Sequence, residues 1–94
     1  MALYLVNRSK VRLYVQVEGT NPMTKRLIIN VSTRELPPVA GEKLRCIVGH
    51  DQQVQIPGYR LGQEIKLYAK YLEFREIPKN KAGNRILVIE GLLN

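Results

Sequence analysis

Apolar and polar residues alternate along almost the whole of this 94-residue sequence. In "VRLYVQVE" (11–18), the four apolar residues fall on one side of an extended chain, and the polar ones, including Arg12 and Tyr14, fall on the other. No stretch of about ten residues or more combines helical spacing with caps and strong helix formers. The alternation therefore predicts an all-β protein with little or no helix.

Turn-forming residues divide the alternating segments into five predicted strands. We place these strands at residues 11–18, 25–33, 42–49, 64–76 and 84–93. Pro37 and Pro38 interrupt the ladder after the second strand, and Pro57 with the glycines near it leaves room only for a short strand at "QQVQI" (52–56). Five strands favour a small closed barrel, because sandwiches usually have about seven strands and closing a sheet removes its exposed edges.

The length fits one domain, residues 1–94, since single domains typically have about 50 to 250 residues. No apolar run reaches the roughly 20 residues that span a bilayer, and the start "MALYLVNRSK" lacks the long apolar segment of a secretory signal. We therefore expect a cytoplasmic protein with no membrane partner. Cys46, the only cysteine, cannot form an internal disulfide, and we expect it to be a small buried hydrophobic residue.

The net charge points to a partner. Fifteen Lys and Arg against eight Asp and Glu give +7 at pH 7, which is typical of a polyanion binder or of a domain kept in solution by its charge. Single-stranded nucleic acid is bound by a positive groove and by aromatic faces on which bases stack. Lys66, Tyr68 and Lys70 offer both, because they alternate with apolar residues and face outward if those residues face the core.

Basic and aromatic residues on other strands, and on the hairpin "REIPKNKAGNR" (75–85), extend this row. We predict a nucleic-acid site made of Arg12, Tyr14, Lys43, Arg45, Lys66, Tyr68, Lys70, Arg75, Lys79, Lys81 and Arg85. Lys and Tyr are also common on ordinary solvated β faces. The prediction therefore depends on the combination of this row, the net charge and the basic hairpin.

The second half of the sequence resembles a known family. "LRCIVGHDQ", "YRLGQEIKLYAKYLEFRE", the basic loop "KNKAGNR" and a final apolar strand are similar to the later strands of the OB-fold in bacterial and phage single-stranded-DNA-binding proteins and primosomal replication proteins. Leu61-Gly62 matches the lead-in to strand four, and Ala69 lies where the family often carries Gly. The segment before strand four is too short for the helix that many members insert there.

This resemblance implies a five-stranded Greek-key barrel that binds single-stranded DNA with little sequence preference during replication, recombination or repair. It also implies a homodimer or homotetramer, with replication proteins as candidate partners. Two alternatives stay open. The same surface would serve to bind RNA, or the chain is a structural or adaptor subunit whose barrel faces contact other proteins.

The last strand raises a separate question, because "ILVIEGLL" (86–93) is apolar on both faces. We expect either a bulge that shifts its register or a cover on its outer face. A homo-oligomer interface would supply such a cover, and so would the C-terminal residues or the N-terminal "MALYLV" folded back over this face.

The sequence favours a protein that is not an enzyme. His50 is the only histidine, and in an extended segment its neighbour Asp51 points to the opposite side, so the two would not form a base and its orienting acid. One His and one Cys do not make a zinc site without suitably spaced carboxylates. We therefore expect no catalytic residue, no metal and no cofactor.

Overall fold

The computed structural model describes residues 2–77 and 82–92, and in these ranges every regular element is a β-strand. The all-β prediction is therefore confirmed. The strands are β1 (Leu3–Asn7), β2 (Leu13–Thr20), β3 (Leu27–Ser32), β4 (Leu44–Val48), β5 (Gln53–Ile56), β6 (Gln63–Leu67), β7 (Leu72–Ile77) and β8 (Arg85–Gly91). In the part of the chain described, no helix has the length and apolar character needed to cross a bilayer.

The eight strands form two four-stranded sheets with mixed pairing. Sheet I has the order β5-β1-β8-β7, and sheet II has the order β4-β2-β3-β6. The pairs β1 with β8 and β3 with β6 are parallel, and the remaining pairs are antiparallel. Side chains from both sheets, such as Leu3 and Leu87 from sheet I and Val15 and Ile29 from sheet II, are buried in one shared core.

The predicted five-stranded closed barrel is not what the described residues form, and three segments account for the difference. The predicted strand 64–76 is interrupted after Leu67, where the amide of Leu72 donates to Ala69 O at 3.2 Å, and the chain passes from sheet II to sheet I. The segment 3–7, which was not predicted as a strand, forms β1. The optional short strand in "QQVQI" is present as β5.

The chain itself joins the two sheets at their edges. Residues 68–71 connect the edge strand β6 to the edge strand β7, and residues 49–52 connect β4 to β5 at the opposite edges. Strands that switch sheets at corners are a known feature of packed β-sheets. Both connections lie at the end of the sandwich where β1 finishes, here named the Asn7 end, and β8 begins at the other end, here named the Arg85 end.

The inward faces of the strands follow the predicted alternation. Val15 and Val17 of β2 and Ile29 and Val31 of β3 are fully buried. On β4, the predicted apolar face packs on the same core, with Cys46 half-buried. Burial raises the pKa of the Cys46 thiol above its ordinary value, because the charged thiolate loses hydration there.

β8, a central strand of sheet I, carries apolar residues on both faces. Leu87 and Ile89 face the core, whereas Val88, on the outer face, lies beside Val6 of β1 and is only 3% exposed. The pairing of β8 shows no register shift, so the predicted bulge is wrong. The N-terminal segment pairs alongside β8 rather than folding over it, so that alternative is also wrong. A homo-oligomer interface on this face stays a prediction, and so does a cover by the C-terminal residues, of which 93–94 lie outside the described ranges.

The outer face of sheet II is partly covered by the connection between β3 and β4. Because β2 lies between these strands, residues 33–43, here named the crossing segment, must pass over β2. Gln16 Nε2 donates to Pro37 O at 2.6 Å, and Asn30 Nδ2 donates to Gln16 Oε1 at 2.7 Å. Gln16 and Asn30 are each only 2% exposed as a result, which makes this face polar but buried at its centre.

Candidate nucleic-acid interface

Two predicted aromatic residues remain accessible on the outer face of sheet II, at the Asn7 end. Tyr14 on β2 lies opposite Ser32 on β3, and the amide of Tyr68 donates to Val31 O at 2.9 Å, which continues the ladder of β6 beside Ser32. Tyr14 and Tyr68 thus flank Ser32 at a separation of two strand spacings, about 10 Å. Tyr68 is 56% exposed and Tyr14 is partly exposed, so the face offers two aromatic surfaces.

Four cations lie on or next to the ends of β2, β3 and β6 that meet at the Asn7 end. The Arg12 guanidinium lies 6.0 Å from the centre of the Tyr14 ring, at the limit of a cation–π contact. Lys66 lies opposite Asn30 in the register of β6 with β3, and Lys70 follows in the connection to β7. Among the described residues, neither these three cations nor Arg34 has an acidic partner within ion-pair distance. Arg12, Tyr14, Arg34, Lys66, Tyr68 and Lys70 are named the tyrosine face.

Arg34 was not among the predicted residues. It follows the strand β3, in the segment that contains Pro37 and Pro38. Because this segment is not a strand, alternation of polar and apolar residues does not indicate which side chains face outward there. Its position is set by Ser32, whose Oγ accepts a hydrogen bond from the Arg34 amide at 3.0 Å. A Ser at a strand end often accepts a hydrogen bond from the backbone amide two residues later, so the sequence signals this turn but not the role of the Arg34 side chain.

The other described cations of the predicted site lie elsewhere or are paired. Arg45 is on the outer face of sheet II, but its guanidinium contacts Glu42 at 2.7 Å and donates to Leu36 O, so it fixes the crossing segment. The ammonium group of Lys43 lies close to Gly58, towards the Arg85 end. Arg75 is on sheet I and contacts Glu90 at 2.9 Å. Lys79 and Lys81 lie outside the described residues.

Arg85 belongs to neither outer face. It begins β8 at the Arg85 end, where its guanidinium contacts Glu76 at 2.7 Å and donates to the hydroxyl of Tyr59. The structure therefore brings five of the eleven predicted residues together on the tyrosine face, namely Arg12, Tyr14, Lys66, Tyr68 and Lys70. Within residues 2–77 and 82–92, the positive charge is distributed over both ends of the sandwich rather than gathered on one face.

An apolar cavity of about 350 Å³ adjoins the tyrosine face. Tyr14, Leu36 and Ile47 line it, together with Glu35 and Arg45, and the crossing segment forms one of its walls. Ile47, which pairs with Tyr14, is 54% exposed. A planar apolar group stacked on the Tyr14 ring would thus also lie beside the exposed apolar side chain of Ile47.

His50 and Asp51 correct one expectation. The backbone turns at Asp51, where φ is 62°, and this brings His50 Nε2 within 3.0 Å of Asp51 Oδ2. The two neighbours therefore do contact each other, contrary to the prediction from an extended segment. Asp51 also contacts Arg8 at 2.8 Å, and His50 Nδ1 lies 2.7 Å from Ser9 O.

Over residues 2–77 and 82–92, no cluster of three or more His, Cys, Asp or Glu side chains is arranged to hold a metal ion.

Comparison of the chain with protein-family models, with curated proteins and with solved structures found no match.

Proposed function

We propose that this protein is a non-catalytic binder of single-stranded DNA that acts in replication, recombination or repair, and that the tyrosine face is its binding surface. The observation that carries the proposal is the placement of Tyr14 and Tyr68 on either side of Ser32. Arg12, Arg34, Lys66 and Lys70 lie on the same strands or next to their ends, and among the described residues none of them is paired with an acid. Aromatic surfaces and free cations are the two components of single-strand recognition.

The physical reason for a single-stranded ligand lies in the accessibility of its bases. In a duplex, the faces of the bases are stacked on one another, so a tyrosine ring cannot reach them, whereas a single strand can turn its bases outward. Each base stacked on an aromatic ring contributes about 1 to 3 kcal/mol. The surrounding cations would contact the phosphates, and these contacts carry no sequence information.

DNA is favoured over RNA by the resemblance of the second half of the chain to OB-fold single-stranded-DNA-binding proteins. The number of strands differs from that family's barrel, so the proposal rests on the side chains of the tyrosine face. A homo-oligomer and replication-protein partners remain part of the proposal, and light scattering of the purified protein measures the oligomeric state.

The test is fluorescence anisotropy of a labelled oligothymidine of about 30 nucleotides, titrated at several salt concentrations with duplex DNA as competitor. Tyr68→Ala should weaken binding about 5- to 150-fold, which corresponds to one lost stack, with little change in salt dependence. Lys66→Ala with Lys70→Ala should flatten the plot of log K against log salt by about 1.4, because two phosphate contacts are lost. Phe74→Ala is the matched control, since Phe74 is 46% exposed but lies on β7 of sheet I.

Several outcomes would contradict the proposal. If the protein does not bind the oligothymidine at low salt, where charge interactions are least screened, the proposal is wrong, and an adaptor role becomes the better interpretation. If Phe74→Ala weakens binding as much as Tyr68→Ala, the surface is misplaced. If an oligouridine of equal length displaces the DNA at lower concentration, the ligand is RNA.

A further inference from the structure

A second basic site lies at the Arg85 end, opposite the tyrosine face. It is a polar cavity of about 400 Å³ where β3, β6 and β8 begin and β7 ends, with the connection between β5 and β6 as one wall. Arg26, Arg60 and Arg85 line it together with Tyr59, Gln63 and Glu76. We name it the arginine pocket. Three arginines against one glutamate leave it a net formal charge of +2.

Arg85 is held in place by its neighbours. Its guanidinium donates to the Tyr59 hydroxyl, lies 5.6 Å from the centre of the Tyr59 ring and contacts Glu76 Oε1 at 2.7 Å. A guanidinium that is already fixed loses little conformational entropy when it binds a ligand.

Two acceptor atoms of the pocket are shielded from solvent. Glu76 Oε1 and Gln63 Oε1 are both buried, so neither oxygen is presented to a molecule that enters the cavity. The two other arginines are exposed. Among the described residues, Arg26 and Arg60 have no acidic partner within ion-pair distance. The pocket therefore presents donors and positive charge to its opening.

The backbone supports this arrangement. Gly62 has a φ of 102°, in the left-handed region that favours glycine, and Arg26 Nε lies beside it. The amide of Leu27 donates to Gly62 O at 3.2 Å, which fixes the start of β3 against the start of β6. Arg26, which precedes β3, is thus held beside the turn before β6 that follows Arg60.

We propose that the arginine pocket binds a phosphate monoester, as found in a nucleoside 5′-monophosphate or at the phosphorylated end of a nucleic-acid strand. The guanidinium fork matches two oxygens of a phosphate group. A phosphate monoester carries about −1.5 to −2 charges at pH 7, close to the opposite of the net charge of the pocket, whereas each internal phosphodiester of a strand carries only one. This proposal does not depend on whether the tyrosine face binds DNA.

The test uses calorimetric titration of the full protein with thymidine 5′-monophosphate and with thymidine, which lacks the phosphate. We expect binding of the monophosphate and at least tenfold weaker binding of thymidine. Arg60→Ala should weaken binding of the monophosphate at least tenfold, and Arg26→Lys should weaken it less, because the charge remains and the fork is lost. Arg8→Ala is the matched control, since Arg8 is an exposed arginine in an ion pair at the Asn7 end. Circular dichroism confirms that each variant is folded.

A second titration distinguishes the two sources of the phosphate. Two oligothymidines, one with a 5′-phosphate and one with a 5′-hydroxyl, compete with the monophosphate for the protein. If the 5′-phosphorylated strand competes better, the ligand is a strand end. If the two strands compete equally, the ligand is the free nucleotide. Equal binding of thymidine and its monophosphate would overturn the proposal, as would unchanged binding by Arg60→Ala. Tyr68→Ala should leave binding of the monophosphate unchanged, so failure at one site is distinguishable from failure at the other.

Discussion

Replacing Asn7 by alanine should destabilise the protein by about 4 kcal/mol, because its side chain makes four hydrogen bonds in a fully buried position. Nδ2 donates to Val11 O at 2.8 Å and to Val48 O at 2.9 Å. Oδ1 accepts from the amide of Ser9 at 2.9 Å and from its hydroxyl at 2.6 Å. Each bond contributes a net of about 1 kcal/mol.

This loss is a large part of the roughly 5 to 15 kcal/mol that stabilises a typical domain. Because Asn7 links the end of β1 to the end of β4 and to the residues just before Tyr14, the variant should also loosen the Asn7 end. Urea unfolding followed by far-ultraviolet circular dichroism measures the free energy of unfolding. Arg8→Ala is the control, since the ion pair that Arg8 makes with Asp51 is exposed and should contribute less than about 1 kcal/mol. An Asn7→Ala variant no less stable than Arg8→Ala would refute the reasoning.

Three further variants or measurements address other parts of the molecule. Gln16→Leu removes the donor to Pro37 O and should destabilise the protein by about 1 to 3 kcal/mol. Limited proteolysis should then cleave the crossing segment faster, and an unchanged cleavage rate would mean that other contacts hold this segment. Gly62→Ala places a side chain at a φ of 102° and should lower stability by about 1 to 3 kcal/mol, seen as a lower urea midpoint. Burial raises the pKa of the Cys46 thiol, so a thiol-specific reagent should react more slowly with folded than with unfolded protein at pH 8. Because the folded state then holds the proton more tightly, stability should fall as the pH rises through the ordinary pKa of a thiol.

Local alternation was sufficient to predict the centre of sheet II. The predicted segment 11–18 overlaps β2 except for its last two residues, and the predicted segment 25–33 contains β3. The inward residues of both strands are those predicted, such as Val15 and Ile29. This succeeded because β2 and β3 are joined by a short turn and pair with each other, so one polar and one apolar face are both visible in the sequence.

The passage between the two sheets was missed although the sequence carries a signal for it. Ile65, Leu67 and Ala69 pack against the core at odd positions, whereas Leu72 is the buried residue after the turn. This change of parity marks the corner that separates β6 from β7. If the alternation of polar and apolar residues is continued through residues 64–76 without this change, it predicts one long strand.

Contacts between distant segments account for the rest. The arginine pocket takes Arg26, Arg60, Glu76 and Arg85 from four segments, and no spacing in the sequence relates them. The basic row was predicted as one site, but pairing of Arg45 and Arg75 with Glu42 and Glu90 depends on the crossing segment and on the register of β7 with β8. Composition indicated the excess of positive charge and could not assign it to either end.

The parallel pairing of β1 with β8 has a consequence for synthesis on the ribosome. The two central strands of sheet I lie near opposite ends of the described sequence, so β1 leaves the exit tunnel first and its partner β8 leaves it last. Until then, Leu3 and Leu5, which are fully buried in the finished protein, lack Leu87 and Ile89 as packing partners. The nascent chain therefore exposes this hydrophobic segment until β8 has been synthesised, and closure of such distant contacts slows folding.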